Sequence, residues 1–291
     1  MKRIKFPGVI DTIVVDDPKL IHILAEDPRI DRVFKLRPIW NGFLFKRLIG
    51  SLSYHGERFP HLLPREYADR QTRQDQLWEL FSSRSASMAE GPDELMDLCR
   101  WIKGTGSEKE AGILVQQFLG RFWSAEYLAT PESWAAARTL NIAARSRNLF
   151  KMIWWKITGK INKAKELLGS MAGDNMILLH ATAVALHNLV ASVKKMKQLY
   201  EDQEQRRLLT PEKVVELCLS APPVVFRQAK SDGKAGGCPF AKYSMIQLKL
   251  KDAQKNTGVS KVIFMSDSWS RCPAERWVPA VLAGLWKRAC K

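Results

Sequence analysis

Residues 266–277, SDSWSRCPAERW, set a single cysteine between an arginine and a proline, with no second thiol and no histidine beside it. A thiol in that setting serves as a nucleophile, as a metal ligand, as a haem ligand, or simply as a small buried group. A nucleophile needs a base, which His180 or His187 would supply. Zinc needs about four ligands in paired spacing, whereas Cys99, Cys218, Cys238, Cys272 and Cys290 are scattered singly. The residues leading up to Cys272 have to decide among these uses.

The rest of the composition narrows the setting. With 291 residues, 46% hydrophobic and 26% charged, the chain reads as one large globular domain over 1–291, with a loop or sub-domain break near 82–94. The odd cysteine count and an N-terminus, MKRIKFPGVIDTIVVDD, without an apolar leader core point to free thiols in a reducing, cytoplasmic setting. The longest apolar stretch, ILLHATAVALHNLVA, falls short of the roughly 20 residues of a membrane span, so no transmembrane segment is expected. A net charge of +16 attracts nucleic acid, anionic lipid or an acidic protein. No zinc-finger spacing, RNA-binding aromatic signature or Walker glycine pattern accompanies it, and nucleic acid is not favoured. The densest basic run, Lys151 to Lys165, is interleaved with Trp154, Trp155 and Ile157. It reads as a solvated helix face with its tryptophans turned into the core, the other reading being a helix that lies on a membrane or docks a partner.

Along the chain, Thr12 to Val15 reads as a strand, and Asp16-Asp17-Pro18 opens a short helix that stops before Pro28. Residues 42–73 look irregular, Gln74 to Phe81 helical, and 82–94 a loop. Helices follow at 94–104 and 109–123, then one continuous helix from a Thr130-Pro131-Glu132 start to Ile157. Residues 173–203 form the longest apolar-periodic segment, a buried helix with Leu179, Ala183, Leu186 and Val190 on one face. Thr210 and Pro211 open another helix, which ends at Pro222-Pro223. VVFRQAK and KYSMIQLKL then alternate as strands about an SDGKAGG turn, and AERWVPAVLAGLWKRA closes the chain as a helix. The class is mainly α with a few short β-strands.

The run from Glu216 through Pro222-Pro223, Arg227, Gly237-Cys238-Pro239-Phe240-Ala241-Lys242, Leu250 and Phe264 to Cys272 resembles the C-terminal half of the cytochrome P450 family. There a helix carrying ExxR runs into a proline pair, a strand arginine reaches a haem propionate, a hairpin follows, and an F-x-x-G-x-R-x-C-x-G loop presents a cysteine to iron. TIVVDDPKLIHILAEDPRIDR is similar to the family's opening strand and helix, so the likeness covers residues 8–33 and 173–291. Leu219 stands at the arginine of ExxR, Ser268 and Ser270 at the glycine and basic residue before the thiolate, and Ala274 at the glycine after it.

The resemblance implies a trimmed P450-like helical haem fold with heme b as cofactor and Cys272 as the metal ligand. Arg227, Arg271, His61 and Arg65 would face the haem carboxylates and Trp269 the porphyrin, while His180, Ala181 and Thr182 would stand on the distal helix. Trp277 reads as an ordinary core aromatic. The implied enzyme is a monooxygenase or peroxygenase acting on a small hydrophobic substrate, with an acidic redox partner such as a ferredoxin. Two alternatives stay open: a histidine-ligated, haem peroxidase-like protein using His180, and a non-catalytic basic binding module on a degenerate scaffold.

Overall fold

The computed structural model describes residues 1–90, 93–146, 148–173, 175–257 and 260–291. They gather into two compact units, the first made of Met1–Gly50, His61–Glu79 and Ala221–Glu275, the second of Ser51–Pro60, Leu80–Ser220 and Arg276–Lys291.

The first unit is built on a five-stranded sheet in the order Lys2–Phe6, Ile10–Val15, Met245–Leu248, Val225–Ala229 and Ile30–Asp31. All neighbours are antiparallel except Ile10–Val15 beside Met245–Leu248, where the N-terminal and C-terminal parts of the chain pair. Side chains alternate across a strand, and the β-branched and aliphatic residues Ile13, Val15, Ile246 and Leu248 are fully buried. The Pro18–Glu26 helix starts where local chemistry says it should. Asp17 accepts from the Leu20 N–H at 2.7 Å and Pro18 takes the first helical position, while Ile21, Leu24 and Ala25 turn inward. The Gly233–Ala235 and Cys238–Phe240 strands form a hairpin whose turn residues, Gly236 and Gly237, both have positive φ, as a two-residue turn of this hand demands.

The second unit is helical. Glu108–Trp123 is opened by a Ser107/Glu110 capping box and Pro131–Arg145 by the equivalent Thr130/Ser133 pair. Gly112 leaves room for the Trp134 ring, which a Cβ would strike at 2.3 Å. The 26-residue Met176–Glu201 helix carries a π turn at Ala181–Ala185. It is long and apolar enough to cross a membrane, and half of its apolar window is buried inside the protein.

Four expectations are corrected. The loop at 82–94 is helix as far as Glu90, and residues 91 and 92 lie outside the described residues. The serines there keep the helix by donating their hydroxyls to carbonyls three residues back: Ser83 to Leu80, Ser85 to Ser82 and Ser87 to Arg84. The continuous helix to Ile157 is two, Pro131–Arg145 and Leu149–Ile157, because Asn148 caps a new start by accepting from the Lys151 N–H. Within the "irregular" 42–73 stretch most of a helix, Ile39–Ser51, is present. Its apolar residues run almost continuously and so show no single face. The closing helix begins at Val278, after a short 3-10 turn at Pro273–Arg276.

Candidate functional site

Cys272 stands at the end of a loop tied at its neck. The Cys272 N–H donates to the Phe264 carbonyl at 2.7 Å, and inside that tie Ser268 N–H reaches Met265 O and Arg271 N–H reaches Ser268 O. Met265 turns the chain into the loop with a left-handed φ of 52°. Beyond the tie, the Glu275 N–H returns to the Cys272 carbonyl, so the cysteine is held from both sides.

Cys272 is an exposed residue, unlike Cys99, Cys218 and Cys238. Yet desolvation by surrounding protein is the largest influence on it and pushes its pKa up; Glu275 adds to the rise, while the Ala274 N–H and Arg32 oppose it. The residue is exposed at the surface while the sulfur's immediate surroundings are crowded with protein. The opposing influences, an N–H aimed at sulfur and a cation close by, are those that favour a thiolate once something else shields it.

Beside this loop lies a cage of cations. Arg70, Arg32, Arg227 and Arg65 place their guanidinium carbons 4.3, 4.9, 5.3 and 5.9 Å from the centre of the Trp269 ring. The indole is fixed by its N–H on Ala25 O at 2.8 Å, and Trp269 N–H donates to Glu26. Arg32 and Arg227 are almost wholly buried. Burial lowers Arg227 to about 9 and Arg70 to about 10, and holds Arg32 well below its ordinary value, with repulsion from Arg227 and Arg70 adding to the effect on Arg32. Neither Arg227 nor Arg70 makes an ion pair among the described residues. Arg227 donates to Ser270 Oγ at 2.7 Å and to Phe226 O, Arg70 to Trp269 O, and the Nε of each is buried without a partner. Asp31 gives one carboxylate oxygen to the Arg32 and Arg65 backbone N–H groups. The cage therefore holds buried positive charge in excess of its acids, the condition under which an anionic group is accepted rather than repelled.

Of the residues expected from sequence, Cys272, Arg227, Arg65 and Trp269 come together here. Arg271 is turned elsewhere, paired with Asp75 at 2.9 Å and lying 4.2 Å over the Trp78 ring. His61 sits half-buried in the Pro60–Leu62 turn. Arg32 and Arg70 were not anticipated. Nothing in DRVFKLR or YADRQTR separates an arginine bound for the interior from one bound for solvent.

In the second unit, Thr182 is fully buried. Its hydroxyl donates to Leu178 O at 2.9 Å, within its own helix. Ala181 and His180 are half-buried, His180 edge-on to Phe59. The π turn frees backbone carbonyls, and Gln116 donates to Thr182 O while His187 faces Ala183 O; the His187 Nε2 lies 3.2 Å from Ala137 O of the Pro131–Arg145 helix. Desolvation pushes His187, half-buried, down to about 4, so it is neutral at pH 7. Trp277 packs on Phe81 and Phe118 as a core aromatic. Glu216 pairs with Lys213 at the surface, and Leu219, at the ExxR arginine position, is buried.

No family model matches the chain, and no curated protein matches it by sequence. Solved structures do match by shape. Ligand-free cytochrome P450 OleT superposes with a TM-score of 0.65 at 10% identity, covering 98% of this chain and 82% of that one. Cytochrome P450EX alpha with myristic acid gives 0.60 at 14%, covering 96% and 80%. The P450 heme domain of Tepidiphilus thermophilus gives 0.59 at 13%, covering 95% and 80%. The chain has the cytochrome P450 fold, mainly helical with a few short strands and shortened relative to these structures.

Proposed function

We propose that the protein is a haem-thiolate oxidoreductase in which Cys272 binds the iron of heme b, with residues 1–291 serving as a single haem-binding domain. The observation that carries this reading is the exposed Cys272 close to Arg227 and Arg70, neither of which makes an ion pair among the described residues. Arg227, Arg70 and Arg32 would hold the haem carboxylates, and the partnerless Nε atoms of Arg227 and Arg70 are the donors left for them. Arg65, exposed at the rim, and His61 are further cationic candidates. Haem bound through a thiolate supplies O–O cleavage chemistry, because sulfur pushes electron density onto iron.

The chain's own part is to hold and tune the sulfur. The neck hydrogen bond from Cys272 to Phe264 fixes its position, the Ala274 N–H and Arg32 stabilise its negative charge, and Trp269 stiffens the cage. His180 and Ala181 keep the roles that the resemblance gives them, and the Thr182 hydroxyl, donated to Leu178 O, is not counted as a proton route. Peroxide-dependent oxidation or rearrangement of a small hydrophobic substrate therefore fits better than oxygen activation fed by an acidic partner such as a ferredoxin. The free thiols suit a cytoplasmic setting.

Leu219 in place of the ExxR arginine favours a second reading, a basic scaffold that has lost haem. Reconstitution with hemin separates the two. The haem reading expects a red protein whose reduced carbon monoxide adduct has the strongly red-shifted Soret band of thiolate ligation, lost in Cys272→Ala. A colourless protein after reconstitution supports the scaffold, and a histidine-type spectrum lost in His180→Ala supports the peroxidase-like alternative.

A further inference from the structure

The Leu149–Ile157 helix, LFKMIWWKI, is amphipathic in an unusual sense: it has two apolar faces, and the protein uses one of them. Met152 and Trp155 are buried against Ala143, Ile142 and Ile161, and Lys151 and Lys160 lie 4.7 and 4.8 Å over the Trp155 ring. The other face carries Phe150, Ile153, Trp154 and Ile157, exposed to 88, 57, 64 and 73%. Their spacing of three, four and seven residues places them within a stripe about 100° wide, on the side opposite Met152 and Trp155. An isolated exposed apolar residue is ordinary, but four large ones in one stripe on a single two-turn helix mark a surface that binds something.

The flanks say what. Lys151 and Lys156 stand at the two edges of the stripe, and Lys160 and Lys163 follow on the exposed side of the Lys160–Ala172 helix. Residues 149–165 contain no aspartate or glutamate, and the chain as a whole carries +16. An aromatic and aliphatic stripe bordered on both sides by lysines is complementary to a layer that is apolar inside and negatively charged at its surface. A second copy of this chain would bring the same lysines against one another, which disfavours self-association through this face.

We infer that this helix docks the protein on an anionic lipid bilayer, with Phe150, Ile153, Trp154 and Ile157 entering the headgroup and acyl boundary and the lysines meeting lipid phosphates. The attachment is peripheral and does not depend on haem. The test is flotation of the full chain with vesicles of phosphatidylcholine alone or mixed with phosphatidylglycerol. Wild type is expected to float with the anionic vesicles and to release as salt is raised. Phe150→Glu with Trp154→Glu, and separately Lys151→Glu with Lys156→Glu, should each weaken partitioning by about tenfold or more. Quenching of tryptophan emission by acyl-brominated lipid should fall in Trp154→Phe. All four substitutions of the two double variants lie on exposed positions, so circular dichroism should be unchanged. Equal binding by wild type and both double variants, or no binding by wild type, overturns the inference. So does a dimer in sedimentation that is lost in Phe150→Glu/Trp154→Glu while vesicles are ignored.

Discussion

The first unit gathers Arg227 and Arg70 around Trp269 without an ion pair among the described residues, whereas the second buries Gln116, Ser133 and Thr182 with their side chains hydrogen-bonded to neighbours. The difference separates a place built to receive something from a place built to hold helices together. Excess buried charge lowers stability until a counter-charge arrives, so its persistence calls for a ligand. A matched neutral network needs none, and its members fix how the Glu108–Trp123, Pro131–Arg145 and Met176–Glu201 helices meet.

The largest effect expected from this contrast is with pH. His187 is depressed from 6.5 to about 4 in the fold, so between those values the unfolded chain binds more protons, and stability falls as pH falls. Each pH unit of that window removes about 1.4 kcal/mol, roughly 3 kcal/mol in all. Urea melts of wild type and His187→Gln across the window should diverge by that amount, the variant lacking this part of the acid loss. Parallel curves would mean that His187 is not held neutral.

Next comes Gln116→Leu, which leaves the Thr182 carbonyl at the π turn without its donor and deprives the Ser133 hydroxyl of one acceptor. A loss of about 2 kcal/mol is expected, and a double-mutant cycle with Ser133→Ala should be non-additive.

The smallest change is opposite in sign. Arg227→Met removes one buried cation from a set that repels itself, and the haem-free protein should gain about 1 kcal/mol while retaining hemin less well. A loss of stability as large as that of Gln116→Leu would show that the cage is already balanced, and the contrast between the two units would fail.

Much of the helix punctuation was legible before any fold was known. Asp17 before Pro18, Thr130 before Pro131 and Thr210 before Pro211 each act within three residues of chain, through a side-chain oxygen on the N–H of residue 20, 133 and 213. The serine-rich 82–90 segment was misread because a serine hydroxyl that bonds backwards along a helix has the same sequence appearance as one in a loop. The tryptophans of Leu149–Ile157 were expected to turn inward together, but adjacent residues on a helix point about 100° apart, and only Trp155 does so.

The resemblance carried by the order of residues 216–272 was enough to single out Cys272, the proline pair and Arg227 as candidates, because its marks lie close together in sequence. They were not enough to show that Arg32 and Arg70 converge on Trp269, that Thr182 is locked onto Leu178, or that Arg271 turns to Asp75. Such facts depend on which distant segments meet and on the desolvation that follows. An arginine carries the same charge everywhere in a sequence, and only the packed interior makes that charge a demand for a partner.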